Sequence, residues 1–345
     1  MKKIFVISIV ISFLFINCSK TNNTPEWIIY NTENSDLPGN GLNCIAIEEN
    51  GTKWIGTRYG GLAKLYNNEW TVYNTTNSEL NEDFISDITI DNYNRKWIIT
   101  VDNSGYGELI CISGNIWTNY NDIYNLNFFC MRSVAIDIDN SIWILTKFDG
   151  IFHIDGENVT IYNDDDLGIT VNYYFCITID SNGIKWIGTS SGLVKYDNSD
   201  WTIFNIENSD IPDNKVSNIL IDNFETRWLS CNGLTAYNGL SWINYTPENS
   251  GLPEMFVNTI CIDNYGNKWI GTDDFIDYDY HGGLIKYDGS TWTAYRTENS
   301  ELPDNNVFDI AIDKYNTIWI CTDNGLAAFY EPYSTTSNIV EYQNH

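Results

Sequence analysis

Positive charge is scarce in this sequence. Its 345 residues hold 18 Lys and Arg against 46 Asp and Glu, a formal net charge of −28. Phosphate backbones and anionic lipid surfaces repel such a chain, so nucleic-acid binding is excluded and no electrostatic docking to a membrane is expected. Histidine is scarcer still, with three residues in all. A general base working near neutral pH therefore has few candidates. His153 sits at a strand position held in other repeats by Lys64, Lys195 and Lys286, His345 ends the chain, and His281 alone lies in a loop suited to chemistry. No Cys-x-x-Cys spacing occurs among the eight Cys, which argues against zinc. No cofactor and no metal are expected. Carboxylate pairs for glycoside hydrolysis cannot be picked out by spacing from so many acids, and catalysis is not the expected role.

Long apolar runs are also lacking, with one exception near the start. Lys2 and Lys3 precede thirteen mostly apolar residues, Ile4 to Ile16, too few to span a bilayer but suited to an export signal. The segment ends at Phe15-Ile16-Asn17-Cys18, which resembles a bacterial lipoprotein box, although Phe15 and Asn17 depart from its preferred Leu and small residue. Residues 1–17 are expected to be cleaved, Cys18 to carry lipid, and residues 18–25 to form a tether. The mature chain then loses two Lys and no acid, for a net charge of −30. The other seven Cys stand at positions where other repeats carry small residues: Cys44 and Cys176, for example, align with Ser133 and Thr259. They read as unpaired interior filler.

What the sequence has in abundance is repetition. Trp54, Trp97, Trp143, Trp186, Trp228, Trp269 and Trp319 recur at spacings of 43, 46, 43, 42, 41 and 50 residues. A period of that size with several strands per unit is the signature of a β-propeller. Each unit opens with a strand of alternating β-branched residues, such as Val257 to Asp263, followed by a turn rich in Asn, Asp and Gly. A Trp-Ile-Gly-Thr strand comes next, then a Gly-Leu-x-Lys-Tyr strand, then Trp-Thr-x-Tyr. Between units runs Glu-Asn-Ser-x-Leu-Pro or its Ile variant, at residues 33–38, 207–212, 248–253 and 298–303. The seventh unit lacks a fourth strand, and Glu26 to Asn31 supplies one from the other end, closing the ring without open edges. The expected fold is all-β, a single seven-bladed β-propeller over residues 26–331 with four antiparallel strands per blade, and residues 332–345 form a tail.

The repeat resembles the two-component regulator propeller repeat of periplasmic sensor proteins. The resemblance rests on Asp180 to Tyr196, Asp263 to Tyr287 and the Asn-Ser-x-Leu-Pro connectors, and it covers about residues 26–330. It implies fold more than function: sensor relatives read oligosaccharides, commonly with two propellers, a β-sandwich and a membrane helix. Here one propeller is found, so a sensing role would need a partner.

Departures from the repeat gather in the loops between strands two and three and between successive blades, which share one face around the channel mouth. They include Val101 to Gly107, Asn121 to Met131, Asn163 to Tyr173 and Asp273 to Gly282. The candidate ligand-binding residues there are Arg58, Tyr59, Phe128, Arg132, Lys147, Phe148, Tyr173, Tyr174, Tyr278, Tyr280 and His281. Aromatic planes beside a few charges in a concavity suit sugars or peptides. Asp273, Asp274, Asp277 and Asp279 offer oxygens to Ca²⁺ but lack the Gly and terminal Glu of an EF-hand, and read as a solvated loop. The expected protein is thus a monomeric propeller of the bacterial envelope, held by lipid alone, that binds a glycan or protein ligand without catalysis. The competing readings are an interaction scaffold and a polysaccharide- or antibiotic-directed lyase or hydrolase. Affinity is expected to depend on blades two, three and six rather than five and seven, whose loops are minimal.

Overall fold

The computed structural model describes residues 25–126, 128–253, 255–273 and 282–331. Seven antiparallel sheets follow one another in chain order. Their first strands are Leu42–Ile47, Ile85–Ile90, Met131–Ile136, Tyr174–Ile179, Asn218–Ile221, Val257–Ile262 and Val307–Ile312. Each packs beside the next, and the last beside the first, so the seven line a central channel. This is the seven-bladed propeller expected from the Trp period.

The repeat phrase has a local cause. In six blades the acid that ends the first strand accepts the indole N–H of the Trp six residues on, at 2.6 to 3.1 Å. In five of those, the acid's other oxygen accepts two backbone N–H groups of the intervening turn. One carboxylate thus closes the turn and satisfies a buried indole, which can only donate. Blade three is the exception. Asp137 turns to an ion pair with Lys185 of blade four, and the indole N–H of Trp143 is left buried without a partner.

Successive blades are clasped near these turns. The basic residue before the Trp reaches back over the preceding blade's Trp: Lys53 over Trp319, Lys96 over Trp54, Lys185 over Trp143, Arg227 over Trp186 and Lys268 over Trp228, at 4.3 to 5.3 Å. Four of the five also pair with the preceding blade's turn carboxylate, Asp313, Glu48, Asp137 or Asp180. Blades three and seven carry Ile142 and Ile318 there instead. Where Ile142 leaves Trp97 uncovered, Arg95 of the same blade lies over that ring and pairs with Asp91.

The connectors also act by hydrogen bonding. In the first, Asn34 Nδ2 donates to Ile29 O, Ser35 Oγ donates to Asn31 O, and Leu37 plugs the inter-blade core. The pattern recurs at Asn208 and Ser209, Asn249 and Ser250, and Asn299 and Ser300, plus a fifth copy at Asn77 and Ser78 that lacks the Pro. Two connectors without the phrase become short helices, Tyr120–Tyr124 and Asp164–Leu167.

The ring closes as expected. Glu26–Tyr30 pairs antiparallel with Gly325–Tyr330, with Trp27 opposite Phe329 and stacked on it at 4.2 Å. Between strands two and three a Gly recurs at positive φ, as at Gly192 and Gly325. A Cβ there would meet the carbonyl of Phe204 at 2.3 Å or of Tyr30 at 2.5 Å, so the outer strand can approach only a glycine.

Blade two differs most. Val101 to Gly107, expected as an enlarged loop, is a lengthened hairpin: strands Lys96–Val101 and Tyr106–Ser113 meet at a tight Asp102–Gly105 turn. Its raised edge is paired by an extra strand, Phe128–Phe129. The seven Cys of the described residues are all free thiols.

Candidate functional site

The face carrying the strand-two-to-three loops owes its character to a bulge repeated in the first strands. Register shifts occur between Leu42 and Cys44, Ile85 and Asp87, Met131 and Ser133, Tyr174 and Cys176, Val257 and Thr259, and Val307 and Asp309. A bulge re-aims the unpaired residue. The residues so released are Asn43, Ser86, Arg132, Phe175, Asn258 and Phe308, with Ser217 equivalent in blade five. None is buried, whereas the residue before each (Leu42, Ile85, Met131, Tyr174, Val216, Val257, Val307) is.

That alternation corrects two expectations. Tyr174 is 1% exposed and packs between blades three and four, its hydroxyl near Asp164 at 3.4 Å; it occupies the buried position, and its neighbour Phe175 takes the open one. Burial, followed by the adjacent Asp164 carboxylate, raises the Tyr174 phenol well above its usual range. Phe128 is likewise in the core, edge-on to Phe152.

Three of the expected residues come together. Phe148 and Tyr173, 46% and 40% exposed, stand edge to face at 5.5 Å, and the Lys147 ammonium lies over both rings at 5.0 and 4.9 Å. Around them the fold adds residues that sequence reasoning missed. Phe129 stacks on Phe148 at 6.0 Å and meets Tyr106 edge-on at 5.3 Å, while Tyr173 leans on Phe175 at 6.3 Å, with Lys215 of blade five over the Phe175 ring at 5.8 Å. The result is a continuous row, Tyr106, Phe129, Phe148, Tyr173 and Phe175, running across blades two to four. Arg132, exposed, stands at the bulge beside Phe175 in the ring. Superposing the repeats would have marked Phe175, since the bulge position is otherwise mostly polar; no signal in the sequence joins Tyr106 to Phe129.

Arg58 is positioned differently. It pairs with Asp323 of blade seven, donates to Asn43 at 3.0 Å and covers Phe308 at 4.4 Å, which ties blade one to blade seven. Tyr59 beside it is 86% exposed on the rim. Tyr278, Tyr280, His281 and most of the blade-six acids lie outside the described residues. Asp273, at the edge of that insertion, accepts a hydrogen bond from Asn258. His153 is half-buried, stacked on Trp143 at 4.1 Å.

A hollow of about 730 Å³ has Lys215 and Asp213 in its wall, with Ser217, Ser230, Asn232, Phe256, Asn258 and Asp273. It lies over blades five and six. The short loop of blade five, read from sequence as having little to offer, supplies Ser230 and Asn232 to the wall of this hollow. On the other side of the mouth the carboxylates of Glu82, Asp83, Asp102 and Glu108 crowd together, and burial with that crowding raises the Glu82 pKa. Inside the channel, burial pushes Asp87 up to about 7, helped by Asp309, and pushes Asp309 up to about 6. Asp309 accepts the Ile45 N–H of blade one at 2.8 Å and so also serves ring closure.

Residues 251–274 and 301–324 match the family model described as two component regulator propeller. The two matched stretches fall in blades six and seven. Among solved structures it is similar to the extracellular domain of a hybrid two component system, BT3049, from B. thetaiotaomicron: 21% identity, TM-score 0.69, covering 89% of this chain and 41% of that one. The corresponding domain of BT4673 from the same organism gives 17% identity and a TM-score of 0.69, covering 90% and 40%. The chain thus spans about two fifths of those domains. It is also similar in fold to virginiamycin B lyase from Staphylococcus aureus, at 14% identity and a TM-score of 0.66, covering 89% and 99%. No curated protein matches. Among the described residues no helix is long and apolar enough to cross a membrane.

Proposed function

We propose that this propeller binds a glycan or protein ligand on its irregular-loop face and leaves it chemically unchanged, acting as a sensor or uptake accessory of the bacterial envelope. The observation that carries this reading is the continuous aromatic row of blades two to four with Lys147 and Lys215 laid over it. Exposed apolar surface gathered on one face of a soluble fold is a mark of binding. Lys147, Phe148, Tyr173 and Arg132 form its centre and Tyr59 and Arg58 its far rim; Tyr278, Tyr280 and His281, outside the described residues, stay candidates from the sequence. The similarity to extracellular domains of two component systems supports sensing. Lipid at Cys18 would hold the domain at a membrane.

An array of glycans and peptides probed with residues 19–345 tests the reading. Binding that falls at least tenfold in Tyr173→Ala supports it, and binding unaffected by Phe148→Ala and Tyr173→Ala together overturns it. Cleavage of any bound compound would favour the lyase or hydrolase reading instead. Palmitate labelling in a bacterial host, lost in Cys18→Ala, tests the anchor.

A further inference from the structure

Most of the few cations of this acidic chain are already engaged. Lys53, Arg58, Arg95, Lys96, Lys185, Lys195, Arg227, Lys286 and Arg296 each pair with a carboxylate. Among the described residues six cations form no ion pair: Lys64, Lys268 and Lys314 lie over aromatic rings elsewhere in the fold, and Arg132, Lys147 and Lys215 share the loop face, although Asp149 and Asp213 lie two residues from Lys147 and Lys215 in sequence. The last three stand on the loop face of blades three to five, and a chain of contacts joins Lys147 to Lys215. Lys147 lies over Tyr173, Tyr173 meets Phe175, and Lys215 lies over Phe175, while Arg132 stands exposed at the bulge of blade three, the position that Phe175 holds in blade four. Carboxylates crowd the neighbouring blade two instead, at Glu82, Asp83, Asp102 and Glu108.

A protein with net charge −28 repels anions at long range, and three unpaired cations in one sector give it a local place to hold one. Ammonium groups poised over aromatic faces keep their N–H donors toward solvent, where they can meet an oxyanion. The flat rings between them suit the C–H faces of sugars. An acidic peptide would also answer the charge. It would gain most from backbone pairing along a free strand edge, and the raised edge of blade two on this face is already taken by Phe128–Phe129.

We infer that the ligand is an acidic polysaccharide, whose carboxylate or sulfate groups are held by Arg132, Lys147 and Lys215 while its sugar rings lie on Phe148, Tyr173 and Phe175. This rests on the binding face proposed above and names the chemistry of its ligand. The polymer would run along blades three to five, away from the acidic hairpin of blade two.

The test uses the chain from residue 19 with three sets of probes: oligogalacturonates and their methyl esters; sulfated and unsulfated forms of one neutral oligosaccharide; and poly-glutamate. Affinity is measured at low and at high salt. The expected result is binding of the carboxylated or sulfated sugars at least tenfold tighter than of their neutral counterparts, weakened by salt. Arg132→Gln, Lys147→Gln and Lys215→Gln should each cost about three- to tenfold, and the triple variant should abolish the preference for charge. Retention of the wild-type melting temperature checks that these variants fold. Carboxylated against sulfated probes tells which anion is preferred.

Equal affinity for charged and neutral sugars overturns the inference, as does failure of every acidic sugar to bind. So does tighter binding of poly-glutamate, which would make the ligand a peptide. In each case the face itself is judged separately: a neutral or peptide ligand lost in Tyr173→Ala leaves the binding face standing and removes only its acidic-sugar chemistry.

Discussion

The two ends of this propeller are made from the same repeats and have diverged in opposite ways. At the turn end, five blades close the first hairpin with a carboxylate that serves the turn and the indole together, and five blades carry a cation that covers the preceding Trp. Exposed aromatics there, such as Tyr93 and Phe224, stand one per turn. At the loop end the bulge frees one side chain per blade from pairing, and the connectors vary in length. Here the aromatics touch one another in a row, with Lys147 and Lys215 laid over it. The difference teaches where each end is constrained. A buried indole N–H admits few substitutions, so the turns stay alike. A bulged residue facing the mouth satisfies no ladder, so its identity is free to serve a ligand.

The largest effect should come from breaking the closure that both ends depend on. Deleting residues 25–31 removes the outer strand of blade seven and the burial of Trp27 and Tyr30, roughly 1.5–3 kcal/mol for each side chain. Loss of cooperative unfolding by calorimetry, or a fall of more than about 10 °C in melting temperature, is expected. An unchanged transition would mean that the ring holds without this strand.

Next comes the turn end. Lys185→Met leaves the Asp137 carboxylate buried without its partner and should destabilise by about 3–5 kcal/mol, as broken buried pairs do. Lys185→Met with Asp137→Leu should recover most of that loss. If the double variant is as unstable as the single one in urea unfolding, the pair does not act as a unit.

A smaller effect, and one of opposite sign, is expected in the channel. Asp87 has a folded-state pKa of about 7, above the ordinary Asp value of roughly 3.9. The folded state therefore holds its proton more tightly, and ionising the group opposes folding. The penalty is fully present above pH 7 and is relieved as pH falls toward 4. Asp309, raised to about 6, acts in the same sense. Asp87→Asn should stabilise by on the order of 1–2 kcal/mol at pH 8 and by much less at pH 5. Equal melting shifts at the two pH values would show that the carboxylate is not strained by its charge.

The smallest effects on stability, and the largest on binding, belong to the loop end. Tyr173→Ala and Arg132→Ala should each move the melting temperature by no more than about 2 °C while weakening ligand binding by on the order of 1–2 kcal/mol. Tyr93→Ala, on the turn end, should do neither. A loss of binding in Tyr93→Ala with normal binding in the other two would place the ligand at the opposite end.

Much of the fold was legible because the repeat phrases encode local hydrogen bonds. An acid, a four- or five-residue turn and a Trp form one bonded unit, so their period counts the blades. The Asn-Ser-x-Leu-Pro connector is bonded within itself, and its Leu must be buried. The unpaired third strand at Gly325 to Tyr330 and the spare strand at Glu26 to Tyr30 required each other, since a lone outer edge would expose its backbone. The inter-blade basic clasp could also have been read, in the recurrent Lys or Arg before the Trp, had the residue been compared across units.

The binding face was decided by tertiary structure. Simple alternation along a strand could not say that Tyr174 turns inward and Phe175 outward, because a bulge shifts the pleat by one residue. Nor could it join Tyr106, Phe129, Lys147, Tyr173 and Lys215, which lie more than a hundred residues apart at the extremes and meet only because the ring curves neighbouring blades toward one mouth. The sequence by itself determined seven blades, their hydrogen-bonded turns and their closure, since each depends on residues close in the chain or on a missing edge. Which side chains share a surface depended on the packing of blade against blade, and that is set by the geometry of the closed ring.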